Sequence, residues 1–114
     1  MKKLLWISRH SLTSDQLSDL TRICGAAPEV TRYGDTVARV ADLAPLLAAA
    51  DAVAAVLPTI ELAELKALLG EKPLYISRSA RVPTGEILDG EVQFHFVHAG
   101  WYQILRLEAD CRKV

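Results

Sequence analysis

Two stretches of this chain are apolar without interruption: Leu4-Leu5-Trp6-Ile7 and Ala52 to Leu57. Successive side chains of a strand point to opposite faces, so a run with no polar position must be covered on both. Central strands of a parallel sheet with helices on each side have this property. Between the runs lie amphipathic segments of helical period, the pattern of βαβ units. At 114 residues the chain is one domain, and at 51% hydrophobic it can fill a core without staples.

The expected elements follow in order. A first strand covers Lys3 to Ser8 and ends in the polar turn Arg9-His10-Ser11. A helix follows, with Thr13 and Gln16 spaced as a capping box and Leu12 and Leu17 as the hydrophobic staple. Leu17, Leu20, Ile23 and Cys24 form its apolar stripe, and Gly25 stops it. Glu29 to Tyr33 is a short second strand. Gly34-Asp35-Thr36 leads to a second helix marked by Val37, Val40, Leu43 and Leu47, which Pro45 kinks or splits. After the third strand, Ala52 to Leu57, Thr59 caps a third helix with Leu62, Leu65, Leu68 and Leu69 inward and Gly70 as its stop. Pro73 to Ser77 is the fourth strand. Asp89-Gly90 is a hairpin turn between Glu86–Leu88 and Glu91–Val97, and a further strand runs from Trp101 to Glu108. The fold class is therefore α/β, a three-layer domain over residues 1–114. Right-handed crossovers give a four-stranded parallel sheet of order 2-1-3-4 with antiparallel C-terminal strands.

Ligands of open parallel sheets bind beyond the carboxyl ends of the strands, where the order reverses. That edge receives Ser8, Arg9, His10 and Ser11 from the first strand and Tyr33 to Thr36 from the second. The third delivers Pro58 and Thr59, and the fourth delivers Ser77, Arg78, Ser79 and Arg81. Three arginines and two helix starts against Asp35 suit a small anion such as phosphate. Each residue also has a plainer role. Thr13 and Thr59 serve as helix caps, Ser8 and Ser77 as strand ends, and Arg78 and Arg81 as solvated charges. His10, the one rim group that titrates near neutrality, either moves a proton or braces a turn. Trp101 follows a glycine turn and faces a ligand, a second subunit or the core.

Other classes recede. A formal net charge of −1 does not suit a protein that coats long DNA or RNA. Leu4–Ile7 is too short for a membrane span or a signal core, and Cys24 and Cys111 make no C-x-x-C, so a cytoplasmic, reduced protein is expected. His95 and His98 stand three apart on a strand, with no ligand cluster to complete a metal site. No metal and no cofactor are expected. Neither G-x-G-x-x-G nor a P-loop occurs, and no Ser/His/Asp triad assembles from the spacing.

The opening Leu5-Trp6-Ile7-Ser8-Arg9-His10-Ser11-Leu12-Thr13-Ser14-Asp15-Gln16 resembles that of small CRISPR-associated proteins related to CARF domains. Phe94-His95-Phe96-Val97 followed by Trp101-Tyr102 is similar to their aromatic closing strand, and Ser77-Arg78-Ser79 to their Ser/Thr-Arg loop. The chain departs from them at Leu57-Pro58-Thr59, where some relatives are richer in glycine. The resemblance implies a Rossmann-like homodimer that binds cyclic oligoadenylate, with cyclic tetra-adenylate favoured. Some members of the family, the ring nucleases, cleave the ring without metal by attack of a ribose 2′-hydroxyl on its own phosphate. It implies that Ser8, Arg9, His10 and Ser11 hold or cleave the ring, with Arg9, His10 and Ser11 as the catalytic group. Ser77, Arg78 and Ser79 would embrace the phosphates, and Thr59, Arg81 and Trp101 complete the candidate ligand set. Two other readings stay open: a non-catalytic sponge or interaction module, and an enzyme acting on another phosphorylated metabolite.

Overall fold

A computed structural model describes residues 2–114. The strands β1 (Lys3–Ile7), β2 (Glu29–Tyr33), β3 (Ala52–Ala55), β4 (Leu74–Leu88) and β5 (Glu91–Gln103) form one sheet of order β2-β1-β3-β4-β5. The helices are α1 (Ser14–Cys24), α2 (Ala44–Ala49) and α3 (Thr59–Leu69), with a 3-10 turn at Val40–Leu43 preceding α2.

The uninterrupted runs become doubly covered strands. Leu5 and Ile7 of β1 and Val53 and Ala55 of β3 pack with Val40, Leu43, Leu47, Leu65 and Leu69. Leu4, Trp6, Ala52 and Ala54 face the other way onto Leu20 of α1, with Leu12, Tyr75 and Trp101 against them. The α1 layer is the thinner, since Leu20 is the only fully buried residue of that helix.

Local signals set the helix ends. Thr13 Oγ1 accepts from the Gln16 amide, and the Gln16 side chain accepts from the Thr13 N–H, closing both halves of the capping box. Gly25, at φ 80°, takes the left-handed position that ends α1. Pro45 sits in the first turn of α2, where its missing N–H costs no helical bond, so the expected second helix splits at this point.

Several expectations are corrected. The sheet has five strands, and its order differs from the four-stranded 2-1-3-4 arrangement. The fourth parallel strand and the antiparallel tail are one hairpin, because β4 continues to Leu88 and pairs with β5 from Tyr75↔Gln103 to Leu88↔Glu91. Trp101 belongs to β5, and no separate strand covers Trp101 to Glu108. β4 passes through Pro83 and Gly85 with a register irregularity between Pro83 and Ile87. Thr59 is not a cap: Pro58 occupies the N-cap position with extended backbone, and no side chain caps α3. Leu17 and Leu68 are exposed, so the stripes of α1 and α3 are narrower than their leucines suggest. Among the described residues no helix is long and apolar enough to cross a membrane.

Candidate functional site

At the end of β1 the backbone turns through Ser8, Arg9 and His10 under several side-chain restraints. Trp6 Nε1 donates to the His10 carbonyl at 2.7 Å. The His10 N–H donates to Ser8 Oγ at 3.1 Å. Arg32 of β2 donates through Nη1 to the carbonyls of Arg9, at 3.1 Å, and Ser8, at 3.4 Å. These bonds pin the backbone and leave the side chains of Arg9 and His10 exposed. Gly34 makes room for the Arg32 guanidinium, since a Cβ at that position would lie 2.5 Å from Nη1.

Arg9 leans toward the loop that follows β2, where its Nη2 donates to Thr36 Oγ1 at 3.3 Å. A cleft of about 300 Å³ opens between the ends of β1 and β3, lined by Ser8, Arg9, Asp35, Thr36, Pro58 and Glu61 among others. It lies at the expected switch point of the sheet. Its charge is mixed, with one guanidinium and two carboxylates. Thr59 opens α3 next to Pro58.

The remaining candidates sit elsewhere. Arg78 and Arg81 are on β4, and the three arginines do not converge. Arg78 lies over the Tyr102 ring at 5.2 Å, and Arg81 over Phe94 at 4.0 Å. Alternation along β4 puts Arg78 on the face opposite Ser77, away from α1. Arg81 and Ser79 follow on the α1 side, farther out along the hairpin. Ser11 is exposed in the loop before α1.

Ser77 and Trp101, paired across β4 and β5, belong to a network with α1 that the sequence did not reveal. Gln16 Nε2 donates to Ser77 Oγ at 3.2 Å. Ser77 Oγ lies 3.1 Å from His98 Nδ1, and His98 Nε2 lies 3.0 Å from Asp19 Oδ2. A carboxylate only accepts, so Nε2 carries a proton and donates it to Asp19. Trp101 Nε1 donates to the Gln16 carbonyl at 3.0 Å, and its ring meets Trp6 edge-on at 5.6 Å. Hydrogen bonds from His98 and then Arg22 hold the Asp19 carboxyl below its ordinary pKa. Serine, histidine and aspartate in this order activate a nucleophile in hydrolases. In this chain Gln16 already bonds the serine oxygen from the first turn of α1. The network is a clamp that fastens α1 to β4 and β5, on the side where the apolar core is thin.

Asp19 and His98 are 79 positions apart, so neither could announce the other. Arg32 was legible only as an arginine next to the end of β2, with nothing to say that it would reach β1. Among the described residues no group of three or more His, Cys, Asp or Glu gathers to hold a metal. No protein-family model, curated protein or solved structure matches the chain.

Proposed function

We propose that this chain is a Rossmann-like, CARF-related domain that binds cyclic oligoadenylate, cyclic tetra-adenylate foremost, at the carboxyl edge of its sheet. The observation that carries the reading is the pinned Ser8–His10 turn beside the β1/β3 cleft. A loop whose backbone is already fixed presents Arg9 and His10 with only their side chains left to order on binding. The mixed charge of the cleft suits a nucleotide better than a bare anion. Arg9 matches a phosphate, while Asp35 and Glu61 accept from ribose hydroxyls or the adenine amino group. At about 300 Å³ the cleft is at the small end of ligand sites, so a ring of four nucleotides has to span two copies.

Where the ring is cut, a 2′-oxygen attacks the adjacent phosphorus and the 5′-oxygen leaves, giving a cyclic 2′,3′-phosphate. Arg9 then offsets the charge that builds on the phosphoryl oxygens. His10 exchanges the proton lost by the nucleophile and gained by the leaving group. Incubation of micromolar protein with labelled cyclic tetra-adenylate in excess chelator tests both stages. A complex with linear product identifies a ring nuclease, and a complex without product identifies a sponge. Neither complex nor product defeats the reading.

A further inference from the structure

The chain holds two tryptophans, and the fold brings them together. Trp6 stands on β1 and Trp101 on β5, with β3 and β4 between them. Neighbouring strands lie roughly 4.8 Å apart, so the two backbones are separated by about 14 Å. The rings meet because short side chains lie between them. Ala54 of β3 pairs with Trp6, and Ser77 of β4 pairs with Trp101. Each indole leans over these toward the other, edge to face, with 5.6 Å between centroids and 86° between planes. Trp6 is 2% exposed, in a cluster with Leu4, Leu20, Ala52 and Ala54 that Trp101 closes on the hairpin side.

An indole has one donor, and both are given to backbone carbonyls of the same segment. Trp6 Nε1 holds the His10 carbonyl at 2.7 Å, and Trp101 Nε1 holds the Gln16 carbonyl at 3.0 Å. The stretch from His10 to Gln16, which joins the β1 turn to α1, is thus stapled at both ends. The capping box fixes its helical end a second time. The His10 end depends on Trp6, and a bond from an indole fixes a turn only while the ring itself is fixed. The buried neighbours of Trp6 are aliphatic and grip it without a preferred direction. Among the described residues Trp101 is the aromatic ring that meets it, and an edge-to-face contact does have a preferred direction. Trp101 is held independently, by its pairing with Ser77 and by the Gln16 carbonyl. Strand β5 therefore orients Trp6, and Trp6 orients the turn.

We propose that Trp101 is a positioning residue for the Ser8–His10 turn, acting through Trp6 rather than by touching a ligand. Its consequence for binding rests on the ring-binding reading, whereas the positioning is tested on the ligand-free protein. Two tryptophans give two indole N–H signals, so hydrogen exchange follows each in a heteronuclear spectrum. The Val53 amide, bonded to the Pro73 carbonyl in the core, reports opening of the whole molecule. In Trp101→Leu, verified as folded by a cooperative melt, protection of the Trp6 N–H is expected to fall about tenfold or more relative to Val53. The Ser8 to Ser11 amides shift with it. His98→Ala breaks the clamp but keeps the bond from Trp101 to Gln16, and should lower both protections alike. A folded Trp101→Leu with that ratio and those amides unchanged overturns the proposal. Should Trp101→Leu not fold, the wild type decides: the two indoles exchange together, within about threefold, if one opening exposes both. A Trp101 N–H that exchanges far ahead of a Trp6 N–H as slow as Val53 shows Trp6 seated without it, which also overturns the proposal. With the turn loosened, Trp101→Leu is expected to bind cyclic tetra-adenylate about tenfold more weakly than wild type. A wild type that binds no ring defeats the ring-binding reading and leaves the exchange result standing.

Discussion

Arg9 and His10 owe their exposure to the groups that hold the backbone beneath them. Trp6, Ser8 and Arg32 satisfy the polar atoms of the turn internally, so its two longest side chains face outward. His10→Ala is expected to leave cyclic tetra-adenylate affinity within a few-fold and to remove most of any turnover, read by product formation under single-turnover conditions. His98 works in the opposite way, with its side chain only 8% exposed and both ring nitrogens engaged. His98→Ala removes the histidine partner of Asp19 Oδ2 and of the Ser77 hydroxyl, leaving them Arg22 and Gln16. A loss of about 1–3 kcal/mol in urea unfolding is expected, with no change in the Ser8–His10 turn. Asp19 adds a pH dependence of known sign. Its folded pKa is depressed, so its contribution is complete above the unfolded value near 4 and is lost as pH falls through the folded value. Melting temperatures of wild type and Asp19→Asn should differ by a constant amount above about pH 5 and converge in acid. A gap that widens in acid contradicts the clamp.

Short-range chemistry made some elements legible. The capping box of α1 and the stop at Gly25 needed only residues a few positions apart, and both formed. Thr13→Ala should cost about 1 kcal/mol, because it removes the side-chain acceptor of the cap. The same holds at Asp89-Gly90, where φ values of 52° and 78° form the tight turn that this pair favours. Between Ser77 and Glu86 the local pattern marks no strand, because it cannot show that β5 pairs with β4 there despite an irregular register. Thr59 misled for a similar reason, as the preceding proline already has the extended backbone of the N-cap position. The carboxyl edge was legible as a place, since topology alone locates it. The convergence of Arg9, Arg78 and Arg81 was not. The two β4 arginines went to opposite faces of a strand that does not stop at Ser77, and each found an aromatic ring.

The molecule divides its labour along the sheet. Among the described residues every buried hydrophobic one lies between Leu4 and Leu74, so the core does not depend on the distal part of the β4–β5 hairpin. Replacing residues 82–95 by Asn-Gly should therefore preserve a cooperative melt, monitored by far-UV circular dichroism. The proposed ligand surface lies where β1 and β3 part and the Ser8–His10 turn overlooks the cleft. At 12.5 kDa the chain is small enough for amide-resolved nuclear magnetic resonance. The decisive measurement is a titration of the labelled protein with cyclic tetra-adenylate, following every backbone amide. The account predicts saturable shifts concentrated at Ser8 to Ser11, Asp35 to Val37 and Leu57 to Glu61, and their loss in Arg9→Ala. A spectrum unmoved by the ring, or shifts centred on other surfaces with Arg9→Ala responding as the wild type does, contradicts it.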